Sequence, residues 1–115
     1  MSDKHYSLDY LNSISDGDQD FIKDMLETFV SSVPDELSKM WKLVNAENWQ
    51  KVGEDAHKFA SSLVFLGLND LKQIATKIEE HGIQQNNVSQ IPVLLNELEK
   101  GCTQLITELK RDFDV

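Results

Sequence analysis

Three histidines, one cysteine and a surplus of carboxylates are the side chains of this sequence that could do chemistry, and one of them stands where its neighbours leave room. His57 lies in the stretch Asn48 to Gly67, NWQKVGEDAHKFASSLVFLG. Laid out as an α-helix at about 100° per residue, the stretch puts Trp49, Val52, Ala56, Phe59, Leu63 and Leu66 on one apolar stripe. His57 falls roughly a third of a turn from the centre of that stripe, so its imidazole points along the flank toward water. Three and four residues away, where helical neighbours meet, come Gly53, Glu54, Ala60 and Ser61. Three of them are small. A glycine inside a helix costs about 1 kcal/mol relative to alanine, so Gly53 calls for a reason. Clearance around His57, shared with Ala60 and Ser61, is the reason expected.

Other chemistries lack their residues. His5, His57 and His81 are scattered, with no HExxH and no CxxC, so no metal site is expected. Glu54 and His57 form one Glu-x-x-His pair, but a di-metal bundle needs a second copy and inward carboxylates. There is no GxSxG, the five glycines are isolated, and Cys102 sits within an apolar stripe where packing is its expected role. A stand-alone enzyme is not expected. A lone exposed histidine is also what an ordinary solvated helix face carries; its mid-helix position and small neighbours set this one apart.

Composition narrows the choice further. At 115 residues the chain is read as a single domain, 1–115, with one core. Forty per cent hydrophobic against 27% charged residues is globular composition. Eleven basic against 20 acidic residues give a net charge of −9, which repels phosphate backbones and anionic lipid. Neither nucleic acid nor membrane is an expected partner. No apolar run approaches the roughly 18 residues of a spanning helix, and no basic-then-apolar leader opens the chain, so a cytoplasmic location is expected.

The elements that must hold His57 read as helices. After a loose lead, Met1 to Tyr6, Ser7 is placed to cap a short helix whose Leu8, Leu11 and Ile14 face inward. Asp16 or Asp18 caps the next, where Phe21, Met25, Leu26, Phe29 and Val33 step at threes and fours. Pro34 lacks an amide donor and predicts a kink, or two helices in near-continuation, because the spacing resumes at Leu37, Met40, Trp41 and Val44. Asn48 caps the histidine helix and Gly67 ends it at the C′ position. Asn69 and Asp70 open another, with Leu71, Ile74, Ala75 and Ile78 facing inward, which His81-Gly82 is expected to stop. IQQNNVSQ reads as a loop, and the last helix runs from about Ile91 to Phe113. No segment alternates as a strand does. The predicted fold is all-α: an up-and-down four-helix bundle with a short N-terminal lid helix and a kink near Pro34.

Several of these strings together resemble a known family. DxxFIxxMLxxFxxxxPxxL from Asp18 to Leu37, NWQKVGEDAHKFASSLVFLGLNDL from Asn48 to Leu71, and IEE from Ile78 resemble the histidine-containing phosphotransfer, or HPt, family. The most specific part is Ala56-His57-Lys58 followed by Ser61-Ser62 and Leu66-Gly67. The resemblance implies a helical bundle whose His57 accepts a phosphoryl group from a receiver-domain aspartate and passes it to another. Its partners would be receiver domains of response regulators or hybrid histidine kinases. The metal and most catalytic groups would belong to the receiver, so no cofactor is expected here. The family usually carries a lysine three residues after the histidine and a glycine four after; this chain has Ala60 and Ser61. Lys58 starts about 100° away round the helix and is the cation placed to substitute, while the Ser61 hydroxyl can donate to a phosphoryl oxygen.

Imidazole attacks phosphorus only when neutral, and histidine's reference pKa of about 6.5 leaves much of an exposed ring neutral near pH 7. One nitrogen attacks; the other must hold the proton, and an acceptor would fix that tautomer. Helical side chains lean toward the N-terminus, which makes Glu54 the expected orienter. Docking calls for an apolar surface beside His57, to which Val64 is assigned, completed by the first short helix or by Phe21 and Ile22. The alternative is a binding module that keeps the bundle and the docking face but titrates a receiver without passing phosphate.

Overall fold

Asp18 starts the longest helix as its side chain suggests it should. The computed structural model describes residues 6–115; of the predicted loose lead, residues 1–5, His5 among them, lie outside the described residues. A short helix, α1 (Asp9–Ser15), ends at Asp16 and Gly17, both in the left-handed region with φ 54 and 81. Asp18 then caps α2 (Gln19–Asn45), its carboxylate accepting from the amides of Asp20 and Phe21 at 3.0 and 3.3 Å. α2 continues through Pro34 as one helix. Pro34 is exposed, so water can take up the bond that its missing amide leaves open at the carbonyl of Val30.

Asn48 caps α3 (Trp49–Val64), accepting from the Lys51 amide. Gly67, at φ 66, closes α3: its amide donates to the Val64 carbonyl and that of Leu68 to the Leu63 carbonyl, at 3.0 and 3.1 Å. That pair of bonds is a Schellman motif with Gly67 at C′, as predicted. α4 (Asn69–Gln84) does not stop at His81-Gly82. It runs on to Gln85, which takes the left-handed turn at φ 49 while the Asn86 amide donates to the His81 carbonyl. A 3-10 turn (Val88–Gln90) leads into α5 (Ile91–Phe113).

Among the described residues the secondary structure is entirely helical, and consecutive long helices are neighbours: α2 on α3, α3 on α4, α4 on α5, with α5 returning to α2. Leu26, Leu63, Ile78, Leu95, Leu98 and Leu109 are fully buried between them. Each such side chain contributes about 1.5–3 kcal/mol on leaving water. Trp49 lies against Gly82 while His57 lies against Glu79, so α3 and α4 run antiparallel.

The N-terminal segment covers one end of these helices. The Ser7 amide donates to the Leu66 carbonyl at 2.7 Å, and the Tyr10 ring lies 5.4 Å from that of Phe65. Tyr6, the last residue of the lead, is not loose: it is buried, its hydroxyl donates to Asp112 at 2.6 Å, and its ring meets Phe113 edge-on. Two inward assignments also change. Ile14 is half exposed, and Phe21 is exposed while Ile22 is buried. The inward line of α2 is Ile22, Leu26, Phe29, Val33, Leu37, Met40 and Val44, one residue round from the line through Phe21.

Candidate functional site

α3 buries Val52, Ala56, Phe59 and Leu63 and thereby turns His57 outward at its border with α4. The His57 side chain is 67% exposed. Its Nδ1 lies 2.9 Å from Oε2 of Glu79 on α4. A carboxylate at this distance can accept a hydrogen bond from Nδ1 and so favours the tautomer that carries its proton there. In that tautomer the lone pair is on Nε2, on a ring most of whose surface faces water.

Glu54, the expected orienter, does not make this bond. Its carboxylate accepts from Gln50 Nε2 at 3.3 Å and lies 4.0 Å from Lys51 Nζ, all on its own helix. Glu54 stands about 60° from His57 on the solvent side, whereas α4 closes on the opposite side of the ring. Glu79 went unassigned in the sequence although it lies within Ile78-Glu79-Glu80, one of the resembling strings. Helical spacing puts it about 40° from Ala75, on the flank of its own helix. Which helix that flank meets is a matter of packing.

The small residues are not a clearing around the ring either. Gly53 is buried, and its Cα faces the α4 backbone. Ala60 is 6% exposed and packs in the core, so a lysine there would have to thread its stem out along the α3–α4 border. Ser61 is exposed, and its hydroxyl donates to the His57 carbonyl at 3.3 Å, a bond within the helix. Val64 is 42% exposed on the same flank as His57, two turns on. Ile22, at 1% exposure, cannot contribute to a docking surface, and Phe21 is exposed.

Lys58 occupies a different setting. It lines a recess of about 90 Å³ between α2 and α3 with Glu36, Lys39, Met40, Asp55 and Phe59. Asp55, about 200° round the helix from His57, is nearly buried; its Oδ1 pairs with Lys51 at 3.1 Å and its Oδ2 is 3.8 Å from Lys39. Burial first, and then the Asp55 charge, push the Glu36 carboxyl above its usual range, with Lys39 opposing. Lys58 therefore stands beside two carboxylates, on the side of α3 away from Glu79. Cys102 is buried in α5, and burial pushes its thiol up to about 12. Among the described residues no group of three or more His, Cys, Asp or Glu side chains gathers to hold a metal ion. Among the same residues no helix is long and apolar enough to cross a membrane.

A family model described as Hpt domain matches residues 24–109, a span that contains both His57 and Glu79. The chain belongs to the Hpt family. Searches of curated proteins and of solved structures found no match. Hpt domains are helical phosphocarrier modules that take part in histidine phosphotransfer in phosphorelays and interact there with receiver domains. Within that span the chain presents an exposed imidazole with a carboxylate at one ring nitrogen.

Proposed function

We propose that His57 is the phosphoacceptor of this Hpt domain, taking a phosphoryl group from the aspartyl phosphate of one receiver and giving it to the aspartate of another. The observation that carries this reading is the 2.9 Å contact between Nδ1 and Glu79 on an otherwise exposed ring. With the proton on Nδ1, the Nε2 lone pair attacks phosphorus. The N–P bond forms as the bond from phosphorus to the aspartyl oxygen breaks, and the aspartate leaves as carboxylate. The ring gains positive charge during this step, and the facing Glu79 carboxylate stabilises it. Return of the phosphoryl group to a second aspartate reverses each bond change. Phosphoryl transfer is mainly positioning and charge stabilisation; the receiver supplies the activated phosphate and this chain the oriented nucleophile.

A second reading is favoured by one observation. Residue 60 is a buried alanine where the family pattern has a lysine, and the Ser61 hydroxyl is turned to its own helix. A domain so equipped could bind a receiver through Val64 and its surroundings without accepting phosphate. Incubation with a phosphorylated receiver separates the two: transfer predicts acid-labile, base-stable label on this chain that His57→Gln abolishes. Tight binding with no label on the wild-type chain favours the binding module.

A further inference from the structure

The carboxylate that meets His57 comes from a neighbouring helix, so the contact is only as well placed as the separation of α3 and α4. Two glycines face each other one turn from it. Gly53 lies four residues before His57 and Gly82 three residues after Glu79. A Cβ on Gly82 would stand 2.6 Å from the Trp49 carbonyl oxygen and 2.8 Å from the Gly53 nitrogen. A Cβ on Gly53 would stand 2.9 Å from the Ile83 nitrogen and 3.0 Å from the carbonyl oxygen of Glu79 itself. All lie well inside the 3.4 Å at which ordinary van der Waals contact begins. Apart from Ile83 Cγ1, which a Cβ on Gly53 would also meet at 2.9 Å, the atoms met are backbone, which cannot swing aside as the end of a side chain can. Each glycine sits inside a helix, where alanine is better by about 1 kcal/mol, and both are buried.

We propose that Gly53 and Gly82 are positioning residues of the phosphotransfer site: by lacking Cβ atoms they set the α3–α4 separation at which Glu79 reaches His57 Nδ1. Its bearing on transfer rests on His57 being the phosphoacceptor. A contact at 2.9 Å is within hydrogen-bonding range, which ends once the heavy atoms part beyond about 3.2 Å. Even a small widening at the glycine contact therefore frees the ring, and the proton then distributes over both nitrogens.

The test is the imidazole nitrogen spectrum of His57, recorded by long-range 15N–1H NMR at neutral pH for wild type, Gly53→Ala, Gly82→Ala and a control, Gly101→Ala. A Cβ on Gly101 would meet Leu71 Cδ2, the end of a flexible side chain. Wild type and Gly101→Ala should show one dominant tautomer with the proton on Nδ1. The two α3–α4 variants should move toward the free-imidazole mixture and lose about tenfold in initial transfer rate, the equivalent of one hydrogen bond to a charged group. Circular dichroism identifies the folded variants; if Gly82→Ala does not fold, Gly53→Ala decides the matter. Wild-type nitrogen shifts in folded Gly53→Ala or Gly82→Ala overturn the inference, as does an equal change in Gly101→Ala. Absence of label on wild type from any receiver counts against His57 as phosphoacceptor, and the nitrogen spectra still decide the role of the glycines.

Discussion

Glu79 reaches His57 from the next helix at 2.9 Å, while Glu54, one turn away on the same helix, is held by Gln50 and Lys51. The two glutamates are therefore expected to differ in a transfer assay. Glu79→Leu, which removes the acceptor, should slow phosphoryl transfer from a labelled receiver about tenfold, and Glu79→Gln, which keeps an acceptor oxygen, should recover part of the loss. Glu54→Gln should stay within about twofold of wild type, as expected of an exposed residue outside the contact. Equal losses in the Glu54 and Glu79 variants would remove Glu79 from its positioning role.

Val64 and Ile22 separate docking from packing. Val64 is exposed on the histidine flank, so Val64→Asp should weaken binding to the receiver about tenfold, a loss typical of one interface contact, with the melting temperature nearly unchanged. Ile22 is buried, and Ile22→Ala should cost about 2–4 kcal/mol in urea unfolding while leaving affinity intact where the protein is folded. Calorimetric titration of both variants against one receiver decides; unchanged affinity in Val64→Asp would place the docking surface elsewhere.

Glu36 gives a pH-dependent prediction. Its folded pKa is raised by burial and by Asp55, so the folded state binds the proton more tightly than the unfolded chain does. The stability it contributes is complete below the ordinary glutamate value of 4.5 and is lost as pH rises through the higher folded value. At pH 7 the ionised group is unfavourable, and Glu36→Gln should raise the melting temperature by about 2 °C, a small effect because solvent screens a partly exposed carboxylate. The gain should vanish by about pH 4. A melting curve that shows no gain at pH 7, or an equal one at both pH values, contradicts this account.

The N-terminal closure depends on Tyr6. Its ring is buried against Phe113 and its hydroxyl donates to Asp112. Tyr6→Phe should cost about 1–2 kcal/mol through the lost hydrogen bond to a carboxylate, and Tyr6→Ala about 3 kcal/mol through the further loss of the ring. Urea midpoints measure both, and a midpoint for Tyr6→Ala equal to wild type would mean that the segment adds nothing to the bundle.

Local spacing was enough for the helices and for the exposure of the histidine. Asp18, Asn48 and Gly67 act through bonds to amides or carbonyls a few residues away, so their roles are written in neighbouring letters. The flank position of His57 follows from its angle to Ala56, Phe59 and Leu63 on one helix. Gly82 was misread because a missing Cβ serves two ends: it permits a left-handed stop and it permits another backbone to come close. Only the approach of Trp49 and Gly53 shows which applies. The same approach brings Glu79 to His57 across a gap of 22 positions in the chain, in place of Glu54 three positions away. Periodicity assigns each side chain an angle about its own axis and carries no information on which neighbouring helix that angle will meet; that choice was made when the helices packed.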